Sequence, residues 1–98
     1  MANDGWDPDS AASFDHRLGI SPREPGSGRG GDETATKKDG PCPDIWELTN
    51  GDVAVIGRDL TESYRSRLPE GVSIASTERL VVIPRGMVIA AKKDIPDA

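Results

Sequence analysis

One dipeptide, Asn50-Gly51, constrains this chain more than any other part of it. It lies between two apolar runs, Ile45-Trp46-Glu47-Leu48 and Val53-Ala54-Val55-Ile56. Asn-Gly supplies the two positive-φ positions of a type I′ turn, whose twist matches that of the strands it joins. The expectation is a tight β-hairpin with Leu48 opposite Val53, Glu47 opposite Ala54, Trp46 opposite Val55 and Ile45 opposite Ile56. Alternation along the strands then gathers Trp46, Leu48, Val53 and Val55 on one face, read as the core side. Ile45, Ala54 and Ile56 share the other face with a single charge, Glu47. A free solvent face would be more polar, so these three are candidate contact residues, to be covered by a helix of the chain or by another chain.

The segments after the hairpin read as its cover. Asp59-Leu60-Thr61-Glu62 resembles a capping box, with Asp59 as N-cap and Glu62 at N3. Leu60, Tyr64 and Leu68 recur at i, i+4 and i+8, a narrow apolar stripe that Pro69 and Gly71 end. Val72–Ala75 alternates like a short strand, and Leu80–Ile83 reads as a central strand buried on both faces. The segment Pro84–Ile95 has two readings. As a helix it starts at Pro84, turns Val88, Ala91 and Ile95 inward and ends on Lys92 and Lys93; as a strand, Met87–Ala90 pairs back across Pro84-Arg85-Gly86. The Ala-Ala-Lys-Lys ending and Pro96 favour the helix. The fold class expected for residues 42–98 is therefore α+β: a small, mainly antiparallel four-stranded sheet with two short helices in the order ββαββα. A domain of this size is near the limit of independent stability, and a homodimer burying the second hairpin face would help.

Residues 1–41 hold seven of the 11 glycines and four of the eight prolines, and read as a disordered, Gly/Pro-rich acidic tail that lacks the apolar surface to offset its ordering entropy. Within it, Ser13–Ile20 could form one helical turn capped by Ser13, with Phe14 and Leu18 sharing a face. Those two residues are candidates for a recognition element that orders on a partner.

The net charge of −5 argues against a general nucleic-acid binder, which presents a basic face to phosphates. Cys42 is the only cysteine and His16 the only histidine. No disulfide within the chain and no Cys/His zinc site can be built from them, and one thiol suits a reducing cytoplasm. The acidic start is no signal peptide, and no run approaches a membrane span. Carboxylates at Asp59 and Glu62 have work enough as helix caps, and no nucleophile stands beside a base. An enzyme is not expected, nor is a cofactor. Ile83-Pro84-Arg85-Gly86 is the one candidate for an anion site, a strand running into a helix start with Arg85 and Gly86 at hand, though no phosphate-loop pattern accompanies it.

The strings Cys-Pro-Asp-Ile-Trp-Glu-Leu (42–48), Asn-Gly-Asp-Val-Ala-Val-Ile-Gly-Arg-Asp (50–59), Leu-Pro-Glu-Gly-Val (68–72) and Glu-Arg-Leu-Val-Val-Ile-Pro-Arg (78–85) resemble a group of short, uncharacterised actinobacterial proteins. The resemblance covers about residues 42–96 and rests on structural motifs, so it implies a fold and no activity. Composition and pattern together point to a small non-enzymatic protein-interaction or regulatory protein. The alternative is an accessory module holding a small anion at Arg85.

Overall fold

The computed structural model describes residues 6–26 and 43–97. It is α+β, in the order β1 (Phe14–Arg17), β2 (Asp44–Leu48), β3 (Val53–Ile56), β4 (Arg58–Asp59), α1 (Thr61–Tyr64), β5 (Val81–Val82) and α2 (Arg85–Ala91). Short 3₁₀ turns over Arg65–Arg67 and Lys92–Asp94 prolong the two helices. Strands β1, β2 and β3 form one antiparallel sheet in that order, and β4 and β5 a separate antiparallel ribbon.

The hairpin forms, but with a different turn. Gly51 has φ of +90°, and no described residue other than glycine has a positive φ, so Asn50 does not take the first left-handed position of a type I′ turn. Instead Gly51 N–H donates to the Leu48 carbonyl and Leu48 N–H to the Asp52 carbonyl, the pattern of a type I turn followed by a glycine bulge. The Asn50 side chain holds this loop by accepting the Asp52 N–H at 2.9 Å. One added loop residue moves the register by one: Ile45 pairs with Val55, Trp46 with Ala54, Glu47 with Val53 and Asp44 with Ile56. The slip exchanges the faces of β3 relative to β2. Ile45, Glu47, Val53 and Val55 now share the inner face, and Asp44, Trp46, Ala54 and Ile56 the outer one.

The core therefore lies on the Ile45 side. Leu18, Ile45, Met87 and Ala91 are buried together, with Ile20 and Ile83 packed against them. Helix α2 exists as expected over this segment, but its inward stripe is Met87 and Ala91, one turn apart. Val88 and Ile95, expected to face inward, are about half exposed.

Residues 14–20 are not part of a tail. β1 pairs along β2, with Phe14 opposite Leu48, His16 opposite Glu47 and Arg17 opposite Trp46, and a bulge between Phe14 and His16. The ladder is prolonged at one end by Thr49 N–H on the Ser13 carbonyl and at the other by Leu18 N–H on the Ile45 carbonyl. The helical turn expected from Ser13 is thus a strand, because an open edge of β2 offers its backbone more partners than one isolated turn could supply. Gly19 locks the segment to α2. Its φ is +92°, and a Cβ on it would lie 2.9 Å from the Ala91 nitrogen; its own N–H donates to the Asp94 carboxylate at 2.9 Å. The boundary expected at residue 42 fails for these residues. The rest of the expected tail, 1–5 and 27–41, and Cys42 lie outside the described residues.

The single four-stranded sheet is not formed. Val72–Ala75 makes no strand: Val72 N–H bonds back to the Pro69 carbonyl, and Ala75 N–H is held by the Glu78 carboxylate, so local turns take the amides a ladder would need. Leu80–Ile83 is reduced to a two-residue strand whose Val81 and Val82 are exposed; among the described residues it pairs only with the equally short β4. Gly57 lets β3 pass into β4; a Cβ there would stand 2.8 Å from the Ile83 side chain and 2.9 Å from the Val82 carbonyl. Asp59 does precede a helix start, accepting the Thr61 N–H at 3.0 Å, but Glu62 pairs with Arg65 at 3.0 Å rather than closing a capping box. Thr61 is buried and its hydroxyl accepts the Leu80 N–H at 2.7 Å, tying α1 to β5.

Candidate functional site

The outer face of the three-stranded sheet is the most distinctive surface of the chain. Cross-strand pairs share a face, and the register sets them in three rows. Phe14 and Leu48 form the first, Arg17, Trp46 and Ala54 the second, Asp44 and Ile56 the third. Trp46 is the centre. The Phe14 ring meets it edge-on, 5.5 Å between centroids at 66°, an arrangement the ring quadrupoles favour. The Arg17 guanidinium lies 4.8 Å from the Trp46 ring centroid, within cation–π range.

Arg17 is fixed by a two-pronged bond to Asp44, Nε to Oδ1 at 2.7 Å and Nη2 to Oδ2 at 2.9 Å. This fork geometry is the strong form of an Arg–carboxylate contact. Asp44 is buried and its partner about one-third exposed. The bond to Asp44 raises the Arg17 pKa, against the opposing effect of burial. The cation is thereby held over the indole ring. Around this fixed centre, Phe14 is 55 % and Ile56 46 % exposed, with Trp46 and Ala54 half-buried. A rigid, half-desolvated aromatic with an arginine beside it is the composition of a contact hot spot.

Three of the five candidate contact residues therefore meet here: Phe14, Ala54 and Ile56. Ile45 and Leu18 do not. At 7 % and 2 % exposure both are in the core, Ile45 under α2 and Leu18 between sheet and helix. The type I′ register sets Ile45 beside Ile56, and the added loop residue puts the two on opposite faces. Trp46, Arg17 and Asp44 are members of the face that the residues alone do not reveal. A three-residue loop, which Asn-Gly also permits, would bring Trp46 together with Ala54 and Ile56; nothing in the sequence announces that β1 joins them.

Arg85 is exposed at the first position of α2 and Gly86 half-buried behind it. The Met87 N–H of that first turn already donates to the Pro84 carbonyl at 3.1 Å, which leaves fewer free donors for an anion than an open helix start has.

The remaining titratable cluster is on the inner side of β1. His16 Nδ1 lies 2.7 Å from Asp15 Oδ2, and its Nε2 is 4.0 Å from Glu47. The bond to Asp15 chiefly raises the imidazole pKa above 6.5, with the Glu47 and Asp94 charges adding to it. Among the described residues, no group of three His, Cys, Asp or Glu side chains is arranged to hold a metal ion, and no helix is long and apolar enough to cross a membrane. Comparison with protein-family models, curated proteins and solved structures found no match to this chain.

Proposed function

We propose that the chain is a small, non-enzymatic protein-interaction or regulatory protein of the cytoplasm, and that the outer sheet face centred on Trp46 is its contact surface. One observation carries this reading: Phe14, Trp46, Ala54 and Ile56 line one side of the sheet, half-buried to exposed, around an arginine already immobilised by Asp44. Its ordering cost is met within the fold, so a partner gains apolar and cation–π contact without having to fix the side chains. The test is a photo-crosslinking residue at position 54 of the full chain in its native cell, with position 70 on the far loop as control. A defined adduct at 54, absent at 70 and lost with Trp46→Ala, is the expected result. Equal labelling at 54 and 70 would refute the proposal.

A further inference from the structure

The free edge of β3 gives the proposed interaction protein, on whose reading this inference rests, a specific partner: we infer that two copies of this chain pair β3 to β3, antiparallel, about a two-fold axis at Val55. Among the described residues β3 pairs with β2 alone. The bond from Leu48 N–H to the Asp52 carbonyl fixes which residues face inward. Ladder bonds alternate along an antiparallel strand, so residues 52, 54 and 56 turn their backbone groups to β2, and Val53 and Val55 turn theirs outward. β4 keeps the same parity, since Leu60 N–H donates to the Leu80 carbonyl. The open edge of the sheet is thus Val53 to Ile56, and beyond Gly57 the chain passes into the separate β4–β5 ribbon with the same parity.

This edge is short, at four residues, but lacks the charges, prolines and bulges that discourage pairing. Its four residues, Val-Ala-Val-Ile, carry no charge, no proline and no bulge, and such an edge is a template for another strand. The flanks say which strand. Placing Val55 against the partner copy's Val55 sets Val53 against Gly57 and Ala54 against Ile56 of the partner. The same register brings Asp52 opposite Arg58 at each end, an acid against a base twice over. Val53 and Val55, 53 % and 43 % exposed on the inner face, gain cover at the axis. On the outer side the two Trp46 faces become one continuous surface of a six-stranded sheet. The contact is short compared with the ~800 Å² per partner of a standard interface, so the dimer is a concentration-dependent one.

The experiment is sedimentation equilibrium of the full chain from about 5 µM to about 1 mM. The weight-average mass should rise from 10.4 kDa toward twice that value, and a half-labelled sample should show intermolecular contacts between Val55 methyl groups. Val55→Pro removes the axial N–H and should remain monomeric throughout. Should that variant fail to fold, Ala54→Lys, which sets a charge against the partner's Ile56, decides in its place. Asp52→Arg should weaken the dimer by roughly two- to fivefold, and adding Arg58→Asp should restore it. A wild-type chain that stays monomeric at about 1 mM, or a folded Val55→Pro or Ala54→Lys chain that dimerises undiminished, overturns the inference. A strict monomer that still crosslinks at position 54 removes the dimer and leaves the Trp46 face standing.

Discussion

The two edge strands of the same sheet have little in common. β1 carries Asp15, His16 and Arg17, is bulged next to Phe14, and is bolted down by Arg17–Asp44, by Leu18 in the core and by Gly19 against α2. β3 is uncharged and aliphatic, and no side chain of it is fully buried. Both are edges by topology, and both have the same open backbone groups to manage. β1 manages them with charge and a kink, and it contributes to the core. β3 does neither: among the described residues nothing pairs with its outer edge and none of its side chains is fully buried. An edge that stabilises the fold tolerates little change, whereas an edge kept for contact should tolerate change freely until assembly is measured.

That contrast can be broken most decisively at Leu18. Leu18→Ala should cost about 3 kcal/mol in urea unfolding, from lost burial plus the cavity left between sheet and helix. Val55→Thr on the opposite edge should change monomer stability by less than about 0.5 kcal/mol. Equal losses would erase the distinction between the two strands.

Arg17→Ala comes next. It strands the buried Asp44 carboxylate, and with Arg17 itself one-third exposed the loss should be about 2–3 kcal/mol, below that of a fully buried pair. The joint change Arg17→Met with Asp44→Leu should recover most of it. A joint variant as unstable as Arg17→Ala would mean that the side chains' packing, and not the orphaned charge, sets the loss.

A glycine pair sharpens the comparison further. Gly19 and Gly51 both have positive φ, but only Gly19 has backbone in the way of a Cβ. Gly51→Ala should cost about 1 kcal/mol for the backbone conformation alone. Gly19→Ala adds the displacement of α2, so its loss should be larger, about 2–3 kcal/mol. Matching values would show that α2 yields to the added methyl.

The smallest effect is the pH response of β1. The raised pKa of His16, due first to Asp15, means that the protonated imidazole favours the folded chain. This contribution is complete below the ordinary value of 6.5 and is lost as pH rises through the higher folded value. A slight fall in Tm from about pH 6 to about pH 8 is expected, absent in His16→Gln. Asp94 has the opposite sign. The Gly19 N–H lowers its pKa, so its contribution holds above the ordinary carboxylate range and disappears as pH falls through the folded value.

Much of this is legible in the residues. Asn50-Gly51 announces a hairpin and Pro84 to Lys93 a helix; Leu60, Tyr64 and Leu68 are half-buried, but the helix expected to carry them as a stripe is only Thr61–Tyr64, and Leu68 is extended. What could not be read is a choice between near-equal local solutions. Asn-Gly serves both the type I′ turn and the type I turn with a bulge, and one residue of loop decides which face of β3 meets Trp46. The strand at Phe14–Arg17 is hidden for a different reason. Phe-Asp-His-Arg has no apolar alternation, and what makes it a strand is β2, with Asp44 27 positions beyond Arg17. Of the candidate surface, Phe14, Ala54 and Ile56 can be found from exposure-prone apolar positions. Its arginine and tryptophan centre depends on that long-range pairing.

The tie between Gly19 and Asp94 spans 75 positions, and that separation sets a timetable. On a ribosome adding roughly 5–20 residues per second, residue 94 emerges roughly 4–15 s after residue 19. During that interval Ile45 has no helix over it, β1 has nothing to clamp it, and the bare Val-Ala-Val-Ile edge has already emerged. The chain cannot complete its core piecemeal as it is made. It must wait for the segment up to Asp94 and then close in one step, with a high share of distant contacts to slow it. For those seconds the apolar side chains of the future core have only one another and solvent to meet.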